Sequence, residues 1–376
     1  REAADVSEQS YDTRRNALGP QHAATLYSVD CLAVTCWRMG EFAKAIRLGE
    51  ESLRLRKERD GENHPATLGA LVNLAISYRD AGQSDQAIAL FEEAFRREKE
   101  QHGQDHPGTI SSMRSLASGY LAAGRLAPAV SLYEQAVEQC KKSLGPTHWD
   151  TLLAMDGLAS AYAAAGRLDD AVGLRQEKLR LSKEQFGPEH PRTLVSITNL
   201  AATYCGCDKV DQAIPLFEEA LTIRKATLGD DHPDTLRTMA NLGTNYDKAG
   251  RPLEAVALLE ETRGRCEEKL GAQHATTLLS MNNLALAYRR VGRLSDALPL
   301  LEASYARRKE KLGAEHATTL VSLSNLADAY RDVGRPDEAI RLLEGAFTQC
   351  QEKLGPVHDT TLGSMQVLSW AYAEAG

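Results

Sequence analysis

Nine histidines divide this chain into equal lengths: His22, His64, His106, His148, His190, His232, His274, His316 and His358 recur every 42 residues without one insertion or deletion. A register kept so strictly along 376 residues excludes a single globular core. It demands an array of near-identical units, each of which buries its apolar surface against its neighbours. Three residues before each histidine stands a glycine (Gly19 to Gly355), three after it a threonine (Thr25 to Thr361), and ten after it a leucine (Leu32 to Leu368). Fourteen after it is tyrosine, with Cys36 as the exception, and eighteen after it is glycine, with Asp208 as the exception.

Within a unit, Leu68, Leu71, Leu74, Ala75 and Tyr78 fall at helical spacing and predict one amphipathic helix, A. Ala87, Ile88, Leu90, Phe91, Ala94 and Phe95 repeat the pattern after a glycine suited to ending helix A in the left-handed conformation, and predict a second helix, B. Pro65, Pro107, Pro191 and Pro233 follow their histidines directly, where a fixed φ and a missing N–H suit the first helical residue. Pro215 and Pro299 place the start of helix B about one turn earlier. The chain is therefore expected to be all-α, an α-solenoid of eight complete units over residues 19–354. A lone helix B over 1–18 precedes them and a lone helix A over 355–376 follows. Such half-units leave Leu362, Leu368 and Tyr372 without a covering helix, which predicts self-association through the ends and further repeats or domains outside the segment.

The set Leu284, Ala285, Tyr288, Gly292, Ala297 resembles the tetratricopeptide repeat. The 42-residue period, the Leu-Gly-x-x-His leader and the run Asn282-Asn283-Leu284-Ala285-Leu286-Ala287-Tyr288 are similar to the longer variety found in kinesin light chains and in many bacterial proteins; the alanine- and arginine-rich usage has a bacterial look. The resemblance implies a right-handed superhelix of antiparallel helix pairs whose concave groove, lined by helix A, binds peptide segments of protein partners. It also implies an alternative: a regulatory or sensor segment of a larger signalling enzyme, a protein kinase or NTPase, with its catalytic domain outside this chain.

Catalysis by the segment itself is not expected. No Walker A loop, dinucleotide fingerprint, nucleophile elbow or His-Glu-x-x-His is present, so neither a cofactor nor a catalytic residue is assigned. Periodic histidines two helix diameters apart, roughly 20 Å, cannot share a zinc ion that needs its nitrogens at about 2.0–2.1 Å; they are expected to anchor turns by bonding backbone. Cys140, Cys266 and Cys350 share one register and act as small apolar residues, and Cys205-x-Cys207 lacks a second ligand pair, so no metal is assigned. Seven unclustered cysteines point to a reducing, cytoplasmic setting. A net charge of -8 disfavours nucleic acid and anionic membrane as partners.

On the face that the resemblance makes the groove, position nine after the histidine is asparagine in Asn73, Asn199, Asn241, Asn283 and Asn325, with Asn282 beside Asn283. Amides both donate and accept, so such a ladder suits the backbone of an extended peptide; helix-to-helix bonds inside the array suit it equally. Arg237, Arg289, Arg290 and Arg331 make the later half of the face locally basic, which favours an acidic segment, the alternative being an ordinary solvated face. Trp37 and Trp370 fall on the same face, near the two ends. Two irregularities predict local distortion: Arg263 with Gly264 in one helix B, and Asp208 in place of a helix-ending glycine.

Overall fold

The computed structural model describes residues 2–314, 316–356 and 359–375; His358 lies outside them. Among the described residues there are eighteen helices and no strand. The A helices are α2 (Ala23–Arg38), α4 (Pro65–Asp80), α6 (Pro107–Ala122), α8 (Trp149–Ala164), α10 (Pro191–Gly206), α12 (Pro233–Lys248), α14 (Ala275–Arg290), α16 (Ala317–Asp332) and α18 (Asp359–Ala375). The B helices are α1 (Glu2–Leu18), α3 (Phe42–Asp60), α5 (Ser84–His102), α7 (Leu126–Leu144), α9 (Leu168–Phe186), α11 (Val210–Leu228), α13 (Pro252–Leu270), α15 (Leu294–Leu312) and α17 (Pro336–Leu354). They form two compact units, Arg1–Pro188 and Glu189–Gly376. In each, consecutive helices pack in chain order as a solenoid, and successive A helices approach one another more closely than successive B helices do. The A face is therefore the inner, concave side of each unit.

Each repeat is built by local chemistry. The histidines are N-caps: in His22, His64, His106, His148, His190, His232, His274 and His316 the ring Nδ1 accepts the backbone N–H two residues on, at 3.1 or 3.2 Å. Each occupies one of the donors that a helix start leaves unpaired, so the expected anchoring role holds. The threonine of the next turn closes the corner from inside; Thr109, Thr151 and Thr277 donate to the carbonyls of Gly103, Gly145 and Gly271 at 2.7 or 2.8 Å.

The A–B corner turns on a residue with positive φ. Glycine supplies it in most repeats, and Asp208 adopts the same conformation at φ 55. The distortion expected there is absent: Lys209 N–H reaches Tyr204 O at 2.9 Å, as Gln83 N–H reaches Tyr78 O. Aspartate is among the few non-glycine residues that tolerate this region. Nor does Arg263-Gly264 break α13, which runs nineteen residues like its equivalents; no atom lies within 4 Å of the place a Gly264 side chain would occupy, so no packing is lost there.

Tyrosine at position fourteen ties the helices together. Tyr78, Tyr120, Tyr162, Tyr246, Tyr288 and Tyr330 donate to Glu50, Glu92, Glu134, Glu218, Glu260 and Glu302 of the preceding B helix, at 2.5–2.8 Å. Arg167, Arg251, Arg293 and Arg335 then stack over the rings of Tyr162, Tyr246, Tyr288 and Tyr330, adding a cation–π contact. At α18, Leu362 and Tyr372 are exposed as expected, but Leu368 is buried at 9% because it joins the cluster containing Leu326 and Leu343.

Candidate peptide-binding face

Apart from Asn73 and Trp37, which belong to the unit Arg1–Pro188, the sequence-predicted residues lie on the A helices of the unit Glu189–Gly376. Their bonding follows one offset. Asn325 Nδ2 donates to Asn282 Oδ1 at 3.0 Å and Asn283 Nδ2 to Ala240 O at 3.4 Å, both across 43 residues. Arg289 Nε donates to Asp332 at 2.8 Å across the same interval, and Arg290 Nε pairs with Asp247 Oδ2 at 2.7 Å. One repeat plus one residue is therefore the spacing at which neighbouring A helices meet on this face. Asn282 is buried at 7%, so its amide belongs to the seam between α14 and α16, whereas Asn283 and Asn325 remain half-buried at the surface.

Asn241 is half-buried, and its carbonyl accepts the amide of Asn245 at 2.8 Å. Asn245 Oδ1 in turn accepts the thiol of Cys205 at 2.7 Å. Asn199, on α10, gives its carbonyl to the Thr203 hydroxyl at 2.9 Å.

All four arginines stand beside aspartates. Arg237 pairs with Asp234 at 2.7 Å, Arg331 with Asp328 at 3.2 Å, Arg290 with Asp247, and Arg289 with Asp332 at 2.6 Å. This pairing is what the sequence reading missed, and the 43-residue offset is the signal that finds it for Asp332 and Asp247. Asp247 is the most committed: its side chain is 10% exposed, and burial raises its carboxyl pKa while Arg290 pulls it down. The Arg290 side chain is 61% exposed, so a guanidinium with five donors keeps an open flank beside that pair.

Among the described residues, no group of three or more His, Cys, Asp or Glu is arranged to hold a metal. Cys140, Cys266 and Cys350 are fully buried, and burial pushes the Cys266 thiol up to about 11, which suits packing rather than reactivity. No described helix is long and apolar enough to cross a membrane.

A solenoid of capped helix pairs, with the A helices of each unit along one face, is the architecture of a repeat scaffold. The sequence profile of the tetratricopeptide repeat matches residues 23–100, 66–142, 124–184, 150–206, 195–268, 248–310 and 315–376, and the chain belongs to that family. Its repeats are of the kinesin light chain-like type. The chain is 31% identical to the nearly identical TPR-like repeats of a Podosopora anserina protein assigned to the kinesin light chains, over 55% of this chain and 98% of that one, with a TM-score of 0.51. BtubC (BKLC) from P. vanneervenii aligns over 62% of this chain and 91% of its own at 22% identity, TM-score 0.50. The apo form of RapI covers 76% of this chain and 97% of its own at 12% identity, TM-score 0.52. At those identities the last two show the shared fold alone. No protein of curated function matches the chain.

Proposed function

We propose that the unit Glu189–Gly376 is a docking module that receives an extended, acidic segment of a partner protein along the A face of α12, α14 and α16. Tetratricopeptide scaffolds of this kind are compatible with protein–protein interaction. The observation that carries the reading is the recurrence of a half-buried amide at one register on successive helices, Asn241, Asn283 and Asn325. An extended backbone offers a donor or acceptor at every residue, and half-buried amides keep bonding capacity toward the open side. The acidic preference rests on Arg290 and Arg331, the more exposed of the arginines in α14 and α16 at 61% and 42%. A ligand carboxylate joins an existing Arg–Asp pair there, so the preference is modest and salt-sensitive.

A peptide array probed with the whole chain tests this. The best binders are expected to be acidic, to lose affinity for the Arg290→Glu/Arg331→Glu variant, and to weaken by about 0.5–1.5 kcal/mol for each amide removed in Asn283→Ala/Asn325→Ala. If affinity survives both variants while the second one loses stability, the amides are struts of the scaffold and the reading fails.

A further inference from the structure

The position 27 residues after the histidine, on helix B, carries a large apolar or aromatic plug in six repeats, with Arg175 in its place in α9. Phe91, Tyr133, Phe217, Leu259, Leu301 and Leu343 are these plugs and are buried at 0–6%. In the unit Glu189–Gly376 three of them, Leu259, Leu301 and Leu343, run through one continuous apolar cluster. In α3 the same position is Gly49, and the buried apolar residues around it fall in two clusters. One cluster gathers Tyr11, Val29, Leu32, Cys36 and Ala45, and a separate one Ile46, Leu53, Ala70, Leu71, Leu74 and Ala94.

A cavity of about 160 Å³ lies beside Gly49, lined chiefly by Ala33, Val34, Trp37, Leu74 and Ile76, with Asp30 and Asn73 among its polar neighbours. Asn73 is exposed and Trp37 and Ile76 are half-buried, so the cavity reaches the A face. Its polar walls are already committed. The Trp37 indole N–H donates to Asp80 at 2.7 Å, and Asp30 accepts Ser52 at 2.6 Å and pairs with Arg56. The indole is thereby held as a fixed wall. A mostly apolar hollow offers water too few partners to be comfortable, and a cavity of about 150 Å³ with such a lining is large enough for a benzene ring.

From this we infer that the cavity beneath Trp37 is a side-chain pocket for one apolar residue, of phenylalanine or leucine size, in a peptide laid across α2 and α4. The chain's own repeats define the occupant, since this is the place their Phe and Leu plugs fill from within. Asn73, at the register of the amide row, borders the pocket where the peptide backbone would pass. The site is made by different residues from those in Glu189–Gly376 and stands or falls separately.

The test is a selection of random linear peptides on the whole chain, followed by titration against filled pockets. Gly49→Leu supplies the missing plug; the nearest atom to a Cβ at Gly49 is Leu74 Cδ1 at 3.0 Å, the far end of a side chain, which must give by a few tenths of an ångström. Ala33→Leu fills the same space from α2, and serves if Gly49→Leu does not fold. A class of selected peptides is expected to share one Phe, Leu or Met, to shift Trp37 emission in a Trp149→Phe/Trp370→Phe background, and to lose roughly tenfold or more in affinity to the filled variants. Its affinity should be unchanged in Asn283→Ala/Asn325→Ala. Peptides bound equally by the filled variants, or a selection that returns no peptide with an apolar anchor, would overturn the inference whatever becomes of the groove in the other unit.

Discussion

Gly157 and Gly69 look alike in the sequence, each a glycine inside an A helix, and the structure assigns their replacement by alanine opposite signs. Nothing lies within 4 Å of the side-chain position at Gly69, so Gly69→Ala should collect the ordinary helix-interior gain of about 0.5–1 kcal/mol. At Gly157 a Cβ would stand 2.6 Å from Cζ and 2.9 Å from Cδ1 of Tyr133, with Cε1 closer still. That ring is 6% exposed and sits in a cluster with Val130, Ala136, Val137 and Met155, so moving aside costs it that packing. Overpacking of this kind costs about 1–3 kcal/mol, and three ring atoms under 3 Å argue for the upper end. Subtracting the propensity gain leaves Gly157→Ala about 2 kcal/mol less stable. Repeat arrays need not unfold in one step, so the assay is native-state hydrogen exchange of α7 and α8. Opening there should quicken roughly thirtyfold, and Tyr133→Leu in the same chain should restore most of the protection. Should Gly157→Ala slow exchange as Gly69→Ala does, the steric reasoning is refuted.

Other outcomes follow from the same contacts. His232→Ala should fray the first turn of α12 at a cost of about 1 kcal/mol, while His232→Asn or His232→Ser keeps an N-cap acceptor and most of the protection, read by exchange at Asp234 and Thr235. The Glu50 hydrogen bond for Tyr78, and burial first for Tyr246 and Tyr330, push these phenols up to about 12. With folded values above the ordinary 10, their stabilising effect is whole below pH 10 and is lost as pH rises from 10 through 12. Tyr330→Phe should therefore flatten the alkaline loss of stability, measured by urea unfolding at pH 9 and 11. Binding of an acidic peptide by the unit Glu189–Gly376 should weaken with salt, and an isosteric amide peptide should show a smaller slope.

Much of the architecture was legible because it is local. A histidine cap, a proline at the first helical residue, a glycine at each corner and apolar residues at helical spacing act within one or two turns, so a single 42-residue period already specifies the helix pair and, repeated, the solenoid. Asp208 was misread for want of its dihedral angle, which shows it standing in for glycine at φ 55. Leu368 was misread because its partners come from the preceding repeat. What only the tertiary structure decided lies between helices. Arg289 and Arg290 meet aspartates 43 residues away, the Asn282 amide turns into a seam, and Gly49 leaves a hollow under Trp37. Periodicity states which residues share a face; which atoms meet across it depends on how far one helix is displaced and rotated against the next, and that is a property of the packed array rather than of any one repeat.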